Sequence, residues 1–384
     1  MIKHLDSTTS AKIANALIDI RKEAGAATTG AVLTLVIETD ERHHYYALRA
    51  AREASRAHPS RILVVIPHPE QPFSGLDAEV RVGDEMGPGE AVVMRLNGEL
   101  ADHADAVVLP LLLPDTPVVT WWPAESPVDP ATAPLGKLAM RRITDASGTH
   151  QPSSLAERLR GYSPGDTDLA WTRCTPWRSM LAAALDQLPC TVQSVKVTAE
   201  IDNPSSTLLA VWLGWRLGVP VTLSTDKGPG ITGVHLGTEK GEICLTRPDG
   251  MLAVLSMPDQ PDRHVALKRR ELADLLTEEL RRLDVDETYE EVLRHITDHD
   301  VAAINETTPA PARPTTITVT AQAADGPLGT LPPESPGQVR EEQELAIDAP
   351  PAAAQGGTSG KDSEQVGSTS GKAAGTSGKP GKAP

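Results

Sequence analysis

Two apolar runs rich in β-branched residues flank a helical segment near the start of the chain. Residues 31–37 and 61–66 are expected to be buried strands, because short apolar runs of this kind are typical of a covered sheet. Between them, Asp40 is placed to begin a helix and Pro59 to end it. A strand, a helix and a strand at this spacing form a βαβ unit, which sets the two strands in a parallel sheet. The pattern predicts an α/β protein.

The remainder of the N-terminal half continues this pattern. Ser10 is expected to cap a first helix, since serine is a favoured N-cap residue. Further strands are expected over residues 80–86, 91–97 and 118–122. These elements predict an N-terminal α/β domain with a mainly parallel sheet over residues 1–150.

A second set of elements follows the proline-rich loop. Residues 172–176 are expected to be irregular, because the residue before a proline disfavours the helical region. A helix is expected over 177–188. Asn203, which a proline follows, is expected to cap another helix, and Gly218 to end it.

Closely spaced strand candidates then indicate an antiparallel meander. They cover residues 220–224, 231–237, 242–247, 251–256 and 263–269. Two amphipathic helices, over 270–283 and 287–298, follow them. We therefore expect a C-terminal α/β domain over residues 151–304, with a mixed or antiparallel sheet and C-terminal helices.

The composition changes near residue 305. Proline, glycine, alanine and serine dominate, and Thr-Ser-Gly-Lys occurs at residues 358–361, 369–372 and 376–379. A segment like this cannot bury enough apolar surface to offset its conformational entropy. Residues 305–384 are predicted to be a disordered tail.

An excess of acidic side chains limits the partners. The chain has 36 Lys and Arg against 52 Asp and Glu, for a formal net charge of −16. Binding to nucleic acid or to an anionic membrane relies on basic residues. No apolar run approaches the ~20 residues that span a bilayer, and the N-terminus has no apolar signal core. We expect a cytoplasmic protein that binds neither nucleic acid nor membrane.

Three cysteines, Cys174, Cys190 and Cys244, are too few and too widely spaced to predict a disulfide framework or a zinc site. Free thiols in a reducing compartment are the simplest interpretation. Cys174 lies between Arg173 and Arg178, which could lower the pKa of its thiol. Cys174 is therefore the candidate for a redox role.

Motifs for chemistry are weak. Gly228–Gly233 matches GxGxxG, but a strand and not a helix is expected to follow, so a hairpin loop is the better interpretation. His295 and His299 have the i,i+4 spacing of zinc ligands but lack a third ligand. We predict no catalytic residue, no metal and no cofactor.

Tryptophans and arginines instead form three clusters in the segments that join the two domains. The richest is the octet, residues 171–178, which reads Trp-Thr-Arg-Cys-Thr-Pro-Trp-Arg. The candidate partner-binding residues of the three clusters are Trp121, Trp122, Arg141, Arg142, Asp145, Trp171, Arg173, Trp177 and Arg178. Aromatic and arginine side chains are the usual anchors of protein interfaces. They also pack internally, with arginines paired to acidic neighbours.

The clusters resemble the glucose-6-phosphate dehydrogenase assembly protein family, OpcA. The resemblance rests on Val-Val-Thr-Trp-Trp-Pro at 118–123, Arg-Arg-Ile-Thr-Asp at 141–145, the octet, and Asn-Pro-Ser-Ser at 203–206. It implies a non-catalytic protein that promotes the assembly and activity of that dehydrogenase, the NADP-dependent entry step of the oxidative pentose phosphate pathway. Cys174 stands where the resemblance implies an aliphatic residue, and the cysteines do not reproduce a thioredoxin-controlled pair.

Two alternatives remain open. An α/β enzyme acting on a sugar phosphate would hold the phosphate with Arg141, Arg142 and Arg173 converging on one pocket. A purely structural scaffold, with the octet as the core between the domains, would bury Trp171 and Trp177 almost completely and would not affect the activity of any partner.

Overall fold

The computed structural model describes residues 1–23, 30–83, 89–148 and 160–297. The expected disordered tail lies outside these ranges, as does His299 of the predicted histidine pair. Among the described residues, no helix combines the length and apolar character needed to cross a membrane.

An eight-stranded sheet forms from the N-terminal half of the chain. Its strands are β1 Ile2–Leu5, β2 Leu33–Glu38, β3 Ser60–His68, β4 Gly75–Val82, β5 Glu90–Asn97, β6 Val118–Trp122, β7 Arg141–Thr144 and β8 Asp166–Asp168. They lie in the order β1-β4-β5-β3-β2-β6-β7-β8. All pairings from β5 to β8 are parallel, whereas β4 pairs antiparallel with β1 and β5.

Helices cover both faces of this first sheet. The helices of the described residues are α1 Ser10–Glu23, α2 His44–Ser55, α3 Ala104–Val108, α4 Leu169–Thr172, α5 Thr175–Gln187, α6 Pro204–Leu217, α7 Leu272–Arg281 and α8 Glu287–Thr297. Side chains alternate across β2: Val36 packs with α1, and Leu35 packs with α2. Burial on both faces explains why the central strands are continuous apolar runs.

A six-stranded sheet forms from the C-terminal half. Its strands are β9 Val192–Glu200, β10 Val221–Asp226, β11 Ile231–Thr238, β12 Gly241–Thr246, β13 Leu252–Ser256 and β14 Arg263–Ala266. Their order is β10-β9-β11-β12-β13-β14. Only the β9–β10 pairing is parallel. The predicted fold class is confirmed: one mainly parallel sheet, one mixed sheet and C-terminal helices.

The last two helices pack against different sheets. Leu275 and Leu276 of α7 join the core formed by α2 and the first sheet. Leu293 and Ile296 of α8 join the core formed by α5, α6 and the second sheet. The chain therefore returns to its first sheet after completing its second. The domain boundaries at residues 150 and 304 stay predictions.

Some predicted local structure was wrong. Residues 172–176 are not irregular throughout, because Pro176 occupies the first turn of α5, where a missing N–H costs nothing. Thr9, not Ser10, caps α1: its Oγ1 accepts from Lys12 N, whereas Ser10 Oγ donates to Val107 O. The Asn203 cap and the left-handed Gly218 are confirmed.

Candidate functional site

The octet runs from the end of the first sheet to the helices of the second. Its first residues belong to α4, which follows directly on β8. Asp168 caps α4 by accepting a hydrogen bond from Ala170 N, and it also accepts from Thr144 and Ala146. The last residues of the octet form the start of α5. The position of the octet is thus fixed by backbone and side-chain contacts at the carboxyl ends of β7 and β8.

Trp171 is the centre of a buried aromatic cluster. Its side chain is 1% exposed, and its Nε1 donates to Asp286 Oδ2 at 2.8 Å. The ring centroid of Tyr289 lies 5.8 Å away, and Arg178 Cζ lies 3.7 Å from the ring centroid of Trp171. Burial lowers the pKa of Arg178. The contact joins the octet to the start of α8.

Trp177 lies at the other end of the octet against the second sheet. It is 2% exposed, and Arg247 Cζ lies 5.0 Å from its ring centroid. The guanidinium of Arg247 donates to the carbonyls of Leu267 at 2.7 Å and Ile231 at 3.0 Å. Both octet tryptophans are therefore buried and carry an arginine on one ring face, which is a favourable cation–π arrangement.

Arg173 forms a bidentate ion pair with Asp145. Its two terminal nitrogens donate to the two carboxylate oxygens at 2.7 and 2.9 Å. Burial lowers the pKa of Arg173, but the charge and hydrogen bonds of Asp145 outweigh it, so the pKa is raised. The Arg173 side chain is still 23% exposed. Of the two octet arginines, Arg173 is the one that lines an open cavity.

Arg141 and Arg142 point to separate buried carboxylates. Arg141 donates to Glu279 of α7 at 2.7 Å and to the Asp284 carbonyl at 2.6 Å. Arg142 pairs with Asp166, whose pKa is raised by burial. These two arginines and Arg173 each have their own carboxylate, so they do not converge on one phosphate as the sugar-phosphate enzyme alternative requires.

Trp121 and Trp122 lie on opposite faces of β6. Trp121 joins the core under α2 and α7, and Trp122 joins the core under α1. Both are at most 1% exposed. Trp122 Nε1 donates to Glu38 Oε2 at 2.6 Å, and burial raises the pKa of Glu38. The candidate tryptophans of all clusters therefore make their contacts within this chain, and their role towards a partner stays a prediction.

The expected low pKa of Cys174 is corrected by the structure. The side chain is fully buried, and its Sγ lies 3.3 Å from the carbonyl oxygen of Ala170 and 3.1 Å from that of Ser205, either of which can accept the thiol proton. Burial raises the thiol pKa to about 12 despite the nearby arginines. Only the thiolate is reactive, so this environment opposes redox chemistry at Cys174.

A cavity beside the octet was not predicted from the sequence. It measures about 150 Å³. It is lined by the octet and residues 146–147, by the end of β9 and the start of α6, and by the segments that precede β11, follow β12 and follow β14. We call it the octet cavity. Its cationic lining residues are Arg173, Arg247, Lys268, Arg269 and Arg270. The cavity could not be predicted from the sequence, because these residues come from three distant parts of the chain.

A second group of polar side chains lies on the outer face of the second sheet. His235, Glu242 and Cys244 have potential ligand atoms within 4.8 Å of one another, a set that could hold a metal ion. His235 and Cys244 are direct partners across β11 and β12, which sequence spacing does not reveal. His235 contacts both other side chains through the same ring atom, Nδ1. The histidine of a catalytic triad instead uses its two ring nitrogens for two different partners, so this group is not a triad. Burial and then Glu242 raise the pKa of Cys244 to about 12.

The geometry defines an α/β protein of two sheets that are joined by buried indole and arginine–carboxylate contacts. Residues 51–161 match the family model described as the glucose-6-phosphate dehydrogenase subunit N-terminal domain. Residues 164–293 match the model described as the C-terminal domain of the same subunit. The two matches together cover more than half of the chain. The chain belongs to the OpcA family of glucose-6-phosphate dehydrogenase assembly proteins.

Solved structures resemble this fold only distantly. An oxidoreductase from Sinorhizobium meliloti has 12% sequence identity and a TM-score of 0.36, over 73% of this chain and 91% of that one. An NAD binding oxidoreductase from Klebsiella pneumoniae has 9% identity and a TM-score of 0.35, over 69% of this chain and 94% of that one. These similarities are too weak to bear on function. No curated protein sequence matches the chain.

Proposed function

We propose that this protein binds glucose-6-phosphate dehydrogenase and promotes its assembly and activity, without catalysing a reaction itself. The observation that carries the proposal is the match of both halves of the chain to domains of a dehydrogenase subunit. The function would be exercised in the cytoplasm of a bacterium and would raise NADPH production by the oxidative pentose phosphate pathway.

The mechanism we propose is a binding linkage. A protein that binds the active or assembled form of an enzyme more tightly than the inactive form shifts the population towards the active form. A tenfold shift needs only about 1.4 kcal/mol of differential binding. A small number of well-placed anchor side chains is sufficient for that difference.

The burial of the clusters supports a division of roles. Trp121, Trp122, Trp171 and Trp177 would hold the two sheets in a fixed relation, because each is at most 2% exposed. The half-buried Arg173 would then contribute to the partner-binding face directly. Arg141, Arg142 and Asp145 would hold the connecting segments through their ion pairs, and Arg178 would hold the start of α5 against Trp171.

The test combines the full chain with the dehydrogenase from the same organism. Light scattering after gel filtration gives the mass of any complex, and NADPH formation is followed against glucose 6-phosphate concentration. We expect co-migration together with a lower apparent KM or a higher kcat. Separate migration with unchanged kinetics would reject the proposal.

A parallel assay addresses the enzyme alternative. The chain alone is incubated with glucose 6-phosphate and NADP, and product is measured. We expect no turnover. Turnover by the chain alone would contradict the non-catalytic part of the proposal and favour the sugar-phosphate enzyme.

A further inference from the structure

The octet cavity has a marked excess of positive charge. Five cationic side chains line it, against the carboxylates of Glu200 and Asp202. This is unusual for a chain with a formal net charge of −16. A local concentration of cations in a concave site attracts anions, because the cavity walls focus the field.

Among the described residues, three of the five cations form no salt bridge with an acidic side chain. Arg173 is paired with Asp145, and Arg270 is paired with Glu278. Within the described ranges, Arg247, Lys268 and Arg269 form no salt bridge, although Lys268 and Arg269 are exposed at the rim. Their charges are therefore free to meet an anionic ligand.

Of these three cations, Arg247 gives the strongest evidence for an anionic ligand. Its side chain is buried, only 5% of the residue is exposed, and its Nε has no hydrogen-bond partner within the described structure. Its other nitrogens donate to neutral carbonyl groups, and Trp177 covers one face of the guanidinium. Burial and then repulsion from Arg269 lower its pKa, and the weaker attraction of Asp249 does not offset them. A buried charge without a salt-bridge partner is costly, and a bound anion would relieve that cost.

Other lining residues add groups suited to an anion and to hydroxyl groups. Ser205, in the first turn of the 14-residue helix α6, lines the cavity, and its buried Oγ has no hydrogen-bond partner in the described structure. Helix N-termini favour anions. Glu200 and Asp202 also line the cavity, and their carboxylates can accept hydrogen bonds from hydroxyl groups while repelling a second phosphate.

The size of the cavity limits the ligand. At about 150 Å³ it is smaller than the ~300–1,000 Å³ of sites for drug-sized ligands. A single phosphate group with a short hydroxylated body suits this volume, whereas a dinucleotide does not. The Gly228–Gly230 loop, which resembles part of a dinucleotide motif, borders the cavity only through Gly230 and leads into β11.

We propose that the octet cavity binds a small hydroxylated organic phosphate, with the phosphate at Arg247, Lys268 and Arg269 and the hydroxyl groups towards Glu200 and Asp202. This is a ligand site of the chain itself and does not depend on the dehydrogenase. Because Trp177 and Arg173 of the octet line the same cavity, an occupied site would alter the face proposed to bind the partner.

Isothermal titration calorimetry of the full chain, without dehydrogenase, tests the proposal. The probes are glucose 6-phosphate, inorganic phosphate and glucose. We expect glucose 6-phosphate to bind more tightly than inorganic phosphate, and glucose not to bind. Failure of both phosphates to bind at about 10 mM, where even millimolar sites fill, would overturn the proposal. Inorganic phosphate binding as tightly as glucose 6-phosphate would overturn the role of Glu200 and Asp202.

Variants at the exposed rim locate the site without disturbing the core. Lys268→Ala and Arg269→Ala should each weaken glucose 6-phosphate binding about tenfold, as the loss of a charge-assisted hydrogen bond does. The matched control is Arg56→Ala, an exposed arginine at the end of α2, which should leave binding unchanged. Unchanged affinity in both rim variants would place the binding elsewhere and overturn the assignment.

Discussion

Arg178 Cζ lies 3.7 Å from the centroid of the Trp171 ring, so the last residue of the octet stacks on the first. The Trp171 indole in turn donates to Asp286, which also accepts from Tyr289 N at the start of α8. The two ends of the octet therefore contact each other, and the octet is hydrogen-bonded to the start of the C-terminal helix α8. These contacts fix the octet against a segment more than 100 residues further along the chain.

Trp171→Phe should destabilise the fold by about 1.5–3 kcal/mol, since it removes a hydrogen bond to a charged group in a buried setting. Urea denaturation followed by circular dichroism measures the change. Tyr45→Phe, at an exposed tyrosine, is the control and should alter the free energy of unfolding by less than about 0.5 kcal/mol. Equal stability of Trp171→Phe and wild type would show that the Asp286 contact contributes nothing.

Arg142→Met should cost about 3–5 kcal/mol, because it leaves the buried Asp166 carboxylate without its partner. Arg294→Met provides the comparison: its ion pairs with Glu290 and Glu291 involve a side chain that is 60% exposed, and such pairs contribute about 1 kcal/mol or less. Chemical denaturation of both variants checks the order. A smaller loss for Arg142→Met than for Arg294→Met would refute the structural role of the buried pair.

Cys174 should make stability fall in alkaline solution. The thiol has an ordinary pKa of 9.0 and a folded-state pKa raised to about 12, so the unfolded chain releases its proton first. The contribution is present below pH 9 and is lost as the pH rises from 9 to 12. Cys174→Ala should flatten the dependence of the unfolding free energy on pH in that window. An unchanged alkaline slope would contradict the raised pKa.

The same burial predicts selective alkylation. Iodoacetamide at pH 8 should modify the half-buried Cys190 before Cys174, and mass spectrometry of the digested protein reads the two sites separately. Unfolding in guanidinium should remove the difference. Modification of Cys174 as fast as Cys190 in the native protein would revive the redox interpretation.

The fold class was accessible from the sequence because strand and helix periodicities differ and proline and glycine mark the ends of elements. The βαβ unit, the meander and the Asn203 cap were all predictable from local residue types. The partners of Arg141, Arg142 and Arg173 were not, since Glu279, Asp166 and Asp145 are selected by tertiary packing. For the same reason, the sequence could suggest that tryptophans and arginines matter, but it could not distinguish buried side chains from a surface.

The octet cavity, too, could not be predicted from the sequence. Arg247 lies between β12 and β13 and Lys268 between β14 and α7, and only the folded chain places them beside Trp177. Cys174 shows how a local argument fails: two flanking arginines suggested a low thiol pKa, but desolvation in the core is the larger effect.

Arg173→Gln is the most direct test of the octet's proposed role towards the dehydrogenase. It removes the positive charge and the bidentate pairing with Asp145 at a side chain that remains 23% exposed. If Arg173 contributes to the partner-binding face, the affinity for the dehydrogenase should fall about tenfold, the effect of losing about 1.4 kcal/mol. Gel filtration and NADPH kinetics measure it, circular dichroism verifies the fold, and Arg294→Gln serves as the exposed arginine control. A folded Arg173→Gln protein that activates the dehydrogenase as well as wild type would confine Arg173 to a structural role, because its charge would then be needed only for Asp145.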